Sequence, residues 1–182
     1  VIVVDATMAS APGILTPPEV AACLEAAMAT LRAELGALPE RVVAWHPAAG
    51  EWCAKEVVGH LIEAERRGFA GRIRIILGAE RPALQAWDQT EVARARHDCG
   101  RPISALLDEL AGVRRDSAAL VRALTAADLD RAGQHPKVGL LRVRDLLQEW
   151  VHHDRNHIRQ ALANVQAYVW PAMGNSQKFA GD

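Results

Sequence analysis

Neither sign of charge prevails in this 182-residue chain: 21 lysines and arginines stand against 22 acidic residues, for a net charge of −1. Phosphate binding draws its affinity from surplus basic side chains, so nucleic acid is not an expected partner. Cysteine is scarce and odd in number (Cys23, Cys53 and Cys99), which argues against a disulfide framework. No apolar stretch approaches the roughly 18 residues of a membrane span. No run of alternating β-branched residues is long enough to pair as a sheet. The opening residues lack the basic flank and length of a secretory signal, so Met8 reads as the start and the protein as cytoplasmic. What is left is a chain half hydrophobic and 24% charged, suited to one compact domain. Residues 1–15 read as an extension without fixed structure and 16–182 as a single domain.

The chain reads as four long amphipathic helices joined by Pro- and Gly-marked loops. The first opens at Thr16-Pro-Pro-Glu19, a hydroxyl cap followed by prolines in the first turn and an acid at the positive end of the dipole. Val20, Leu24, Ala27, Met28, Leu31 and Leu35 form its buried stripe. The second spans about 53–77, with Val57, His60, Leu61 and Ala64 inward. The third spans 103–124, with Ile103, Leu106, Leu107, Leu110, Val113, Val121 and Leu124 inward, and the fourth spans 143–165. The stretch 81–101 is polar without a period, and 133–139 carries turn chemistry. Four such helices around one core predict an all-α four-helix bundle with long crossover connections.

Histidine is where the pattern breaks. His153 and His157 lie four residues apart, so they project from one face a turn apart. Their row, through Val143, Leu146, Trp150 and Ala161, is the core side. His152 points elsewhere. His60 sits between Val57 and Ala64 on the apolar face of the second helix. Three buried imidazoles without partners cost several kcal/mol in total. A shared metal offsets this, since neutral imidazole binds zinc, nickel, iron or copper, and three protein ligands leave a position for water. The plainer alternative is that each is a hydrogen-bonded core histidine.

In their order and separation, Glu51-Trp52-Cys-Ala-Lys-Glu-Val-Val-Gly-His60, His135-Pro-Lys-Val-Gly139 and His153-Asp-Arg-Asn-His157-Ile-Arg-Gln160 resemble the DinB-like (YfiT-like) family. The likeness runs from about Thr16 to Ala163. It implies a four-helix bundle, often homodimeric, holding one divalent metal on His60, His153 and His157, with zinc or nickel ahead of iron. It also implies the family's range of reactions, which includes transferases that use low-molecular-weight thiols such as mycothiol or bacillithiol.

An open three-histidine site suits two chemistries. One is transfer of a metal-bound small thiol to an electrophile, the leading expectation. The other is hydrolysis by a metal-activated water. A third reading is a non-catalytic bundle whose metal fastens two helices or that binds a small molecule unchanged. Both reactions need a proton acceptor. Glu56 and Glu149 each precede a proposed ligand by one turn, and Asp154 adjoins His153 as a candidate orienting acceptor. Each of these acids can equally be solvated or paired with arginine. Gln160 is placed either to hydrogen-bond a ligand or to face a neighbouring helix. Trp52 and Trp150 either wall the pocket or fill core. Cys53 is either a soft ligand or nucleophile or a small core hydrophobe. His46, His97, His135 and His152 read as surface or loop-anchoring residues. The expected partner is a small-molecule substrate or thiol, with neither nucleic acid nor membrane. Lysine occurs only at positions 55, 137 and 178, an arginine bias that leans toward a mycothiol-using bacterium.

Overall fold

A computed structural model describes residues 13–180; the extension expected over 1–15 lies outside the described residues as far as position 12. Helix α1, Pro17–Gly36, starts where the cap chemistry places it. The Glu19 carboxylate accepts from the Thr16 backbone N–H at 2.8 Å and from its hydroxyl at 2.7 Å. A short helix α2, Glu40–Val43, follows.

The second long helix is one helical run with a defect in it. Helix α3, Ala54–Glu63, passes through a π-helical turn, Ala64–Phe69, into α4, Ala70–Gly78. Gly71 makes the widened turn possible, because a Cβ there would lie 2.0 Å from the Arg66 carbonyl oxygen. The stretch without a period contains α5, Gln89–Arg96, whose N-terminal N–H groups at Thr90 and Glu91 are capped by the Asp88 carboxylate. A 3₁₀ turn, Asp98–Gly100, leads to α6, Ile103–Arg122.

A short helix α7, Ala126–Leu129, then precedes a two-stranded hairpin, β1 Ala132–His135 and β2 Gly139–Arg142. This hairpin corrects the expectation that no strands pair. It is antiparallel with His135 opposite Gly139, and Gly139 turns the chain at φ +76°, a conformation glycine adopts without strain. Neighbouring chain holds it in place: Leu84 N–H donates to the Gln134 carbonyl and Gln134 N–H to the Pro82 carbonyl, each at 2.8 Å. Helix α8, Val143–Val169, ends in a 3₁₀ segment, Trp170–Phe179. Leu15 is fastened to α8 by paired 3.0 Å bonds with the Gln148 amide.

Helix α1 packs against α6 and α8, and α3 packs against the same two. The long helices that follow one another in sequence, α1 to α3 and α6 to α8, therefore face each other diagonally. Their apolar residues fall into two clusters. One joins Leu24, Ile73, Val121, Leu146 and Trp150, and the other joins Leu31, Leu61, Leu110, Ile158 and Ala161. Read along the four helices, the clusters give directions up, down, down, up, and the crossover through α5 returns the chain to run α6 parallel to α3.

A polar layer separates the two clusters at mid-bundle. It is built from His60 and Glu65 of the α3–α4 run, Arg114 and Ser117 of α6, and Asp154 of α8, all buried, with His153 and His157 alongside. Arg114 corrects the expected stripe of α6: it takes the inward position four residues after Leu110, while Val113 is only half-buried. Among the described residues, no helix is long and apolar enough to cross a membrane.

Candidate metal centre

His60, from the second turn of α3, and His153 and His157, one turn apart on α8, meet in this layer. Each offers a ring nitrogen, and the three nitrogens lie within 4.8 Å of one another. The ring centroid of His157 is 4.4 Å from both of the others. His60 Nε2 lies 3.1 Å from His153 Nε2. Two nitrogens bonded to one tetrahedral zinc at about 2.0–2.1 Å would be separated by about 3.3 Å, so the spacing is compatible with a shared cation as well as with a direct hydrogen bond between the two rings.

Proton placement points the same way. Nδ1 of His60 and of His153 are buried without a hydrogen-bond partner among the described residues, so no such bond commits either ring to one tautomer. The Gln160 side-chain carbonyl lies 2.9 Å from His157 Nδ1. That oxygen only accepts, so Nδ1 carries the proton and Nε2 of His157 is a bare lone pair. The three residues present therefore fit a borderline divalent metal. Burial holds His60 and His153 down to about 3, helped by the neighbouring rings. Burial also lowers His157, with Gln160 pulling in the opposite direction. At neutral pH all three are uncharged and can act as ligands.

Aromatic side chains wall the site. Trp52 lies 5.0 Å and Trp87 5.9 Å from the His60 ring centroid to centroid, and Phe69 packs edge-on to His153 at 5.1 Å. Trp150 lies one layer back, stacked on Phe69 and beneath the Arg114 guanidinium. A cleft of about 440 Å³ lies along α8, lined by Asn156, His157, Arg159, Gln160 and Ala163.

The candidate acids lie apart from the three nitrogens. Glu56 is bound into the start of α3, where its carboxylate accepts the Cys53 backbone N–H at 2.9 Å. Glu149 is exposed, close to Arg72 and His135, and forms no hydrogen bond among the described residues. Asp154 does not orient His153; it accepts from Arg114 at 2.6 Å across the bundle, and Arg114 also pairs with Glu65 at 3.0 Å. Burial pushes the Glu65 carboxyl up to about 7 against the pull of Arg114. Cys53 sits buried at the N-cap of α3. His152 and His97 are exposed, while His135 is buried rather than superficial, 3.1 Å from Arg72 Nη2.

Trp87, Phe69, Glu65 and Arg114 join the site and its polar layer from outside the motifs that mark the histidines. Arg114 carried a usable signal, since a charge at an inward position of an apolar stripe is as anomalous as the histidines. Trp87 carried none, because the crossover alone brings it to His60.

Three proteins with similar sequences bear the name "putative metal-dependent hydrolase". The one from Oceanobacillus iheyensis is 23% identical over 67% of this chain and 70% of its own length. That from Halalkalibacterium halodurans is 25% identical over 63% and 68%, and that from Bacillus licheniformis 30% over 66% and 69%. Among solved structures, YfiT from Bacillus subtilis superposes with a TM-score of 0.78 at 20% identity, over 90% of this chain and 94% of that one. It is described as "a probable metal-dependent hydrolase with an unusual four-helix bundle topology", and the up-down-down-up bundle found here shares its fold. Residues 24–161, well over half the chain, match the DinB superfamily, and the chain belongs to that superfamily.

Proposed function

We propose that this protein is a metal-dependent hydrolase of a small ester or amide, with His60, His153 and His157 as the ligands. One observation carries the reading: three neutral imidazoles from two helices bring ring nitrogens within 4.8 Å in the polar layer of the bundle. The names of the relatives support hydrolysis over transfer to a thiol. His60, His153 and His157 would hold a divalent cation, zinc or nickel ahead of iron, which would supply Lewis acidity and an activated water near neutral pH.

The chain's own residues do the rest. Trp52, Trp87 and Phe69 exclude bulk water from one side, and the cleft beside His157 admits the substrate. Gln160 fixes the His157 ring. Glu149, one turn before His153 and exposed beside Arg72 and His135, takes the proton through intervening water rather than by direct contact. Glu56 serves the helix cap.

The test is a panel of small esters and amides assayed on the metal-loaded protein, with and without a low-molecular-weight thiol and an electrophile. Hydrolysis that needs metal and ignores thiol supports the reading. Glu149→Gln should then lower kcat by about 100-fold or more while metal content holds. Conjugation that needs the thiol supports the S-transferase instead, and inactivity in both arms supports a non-catalytic metal-stapled bundle.

A further inference from the structure

Away from the three histidines, a second donor cluster gathers at the head of α3. His46 in the α2–α3 loop, Cys53 at the N-cap of α3 and Cys99 in the 3₁₀ turn before α6 each offer one ligand atom, and these three atoms lie within 4.8 Å of one another. Cys99 Sγ is 3.5 Å from His46 Nε2. His46 Nδ1 lies 2.8 Å from the Glu51 carbonyl oxygen. A carbonyl only accepts, so Nδ1 carries the proton and Nε2 turns its lone pair toward the sulfurs. A ligating histidine is commonly held by such a backbone acceptor.

We propose that His46, Cys53 and Cys99 form a second, soft metal site, of the Cys₂His type that takes zinc. Two sulfurs and one imidazole select zinc or cuprous copper over magnesium, calcium or manganese. Each thiol gives its proton to solvent as the sulfur binds. Burial at Cys53 opposes that loss, pushing the thiol up to about 12 in the metal-free protein, and the cation's own charge reverses the balance. The α3 N-terminus adds a favourable dipole for thiolate. Entry is open, since the His46 side chain is 43% exposed.

His60 follows Cys53 by seven residues, about 10 Å along the helix, so the two clusters do not share an ion. The three ligands come from three chain segments: the loop before α3, α3 itself, and the end of the crossover that carries Trp87. A metal there staples the crossover to the head of the helix that bears His60.

The experiment uses the full chain, untagged, reduced and loaded with zinc or with cobalt(II). Elemental analysis should give two zinc ions per chain for the wild type. It should give one for Cys99→Ser and one for His153→Ala. The cobalt form should show near-ultraviolet thiolate-to-metal charge transfer that Cys99→Ser and the milder surface variant His46→Gln abolish and His153→Ala keeps. Absence of that band in folded wild-type protein overturns the proposal. So does a mass lower by two hydrogens that survives as a Cys53–Cys99 disulfide in place of zinc under mild reduction.

Discussion

Gln160 holds His157 from within α8: its side-chain oxygen lies 2.9 Å from His157 Nδ1, three residues back along the helix. The contact decides which nitrogen of His157 faces the other two rings. Partners of this kind are worth about 10–100-fold in metal affinity. Gln160→Leu should weaken zinc binding by about that factor, read by competition with a chromophoric chelator, and Gln160→Glu, which keeps an acceptor oxygen, should restore most of it. Unchanged affinity in the leucine variant would remove Gln160 from the site.

Acid should unfold the metal-free protein earlier than its carboxylates alone require. His60 and His153 titrate near 3 in the folded chain and near 6.5 when unfolded. Between those values the unfolded state binds protons that the folded state refuses. Stability therefore rises with pH across this window and falls as pH drops from about 6.5 toward 3. For buried His60 the slope is up to about 1.4 kcal/mol per pH unit. Urea melts of metal-free wild type and His60→Leu at about pH 7 and pH 5 provide the check. The variant should lose less stability between the two, and equal losses would contradict buried neutral imidazoles.

Removing the Arg114 side chain should be costly. It reaches across the bundle between Asp154 and Glu65, and all three are buried. Arg114→Met leaves two acids facing each other without a cation, which should cost about 3–5 kcal/mol in chemical denaturation. Arg122→Ala, which breaks an exposed pair with Glu25, should leave the midpoint in place. Similar shifts for the two would mean that the central pair does not hold the polar layer.

The helices were legible because their apolar stripes repeat, and α1 and α6 begin beside prolines. His153 and His157 were legible for the same reason: spacing on one helix fixes a shared face. Other features depend on contacts that no local pattern encodes. The π turn at Ala64–Phe69 has the composition of ordinary helix, and only the close approach of Gly71 to the Arg66 carbonyl shows why it widens. The hairpin residues Ala-Gly-Gln-His and Gly-Leu-Leu-Arg have little strand propensity, and their pairing is secured by the bonds of Pro82 and Leu84 to Gln134. Asp154 looked like a partner for its neighbour His153. The diagonal placement of α6 and α8 gives it Arg114 instead.

The most direct test is a crystal of native, untagged protein with diffraction recorded on both sides of the absorption edge of the metal that elemental analysis finds. One anomalous peak should lie within bonding distance of His60 Nε2, His153 Nε2 and the free nitrogen of His157. A map with no peak there, and with His60 and His153 hydrogen-bonded directly to each other, would contradict the shared metal site.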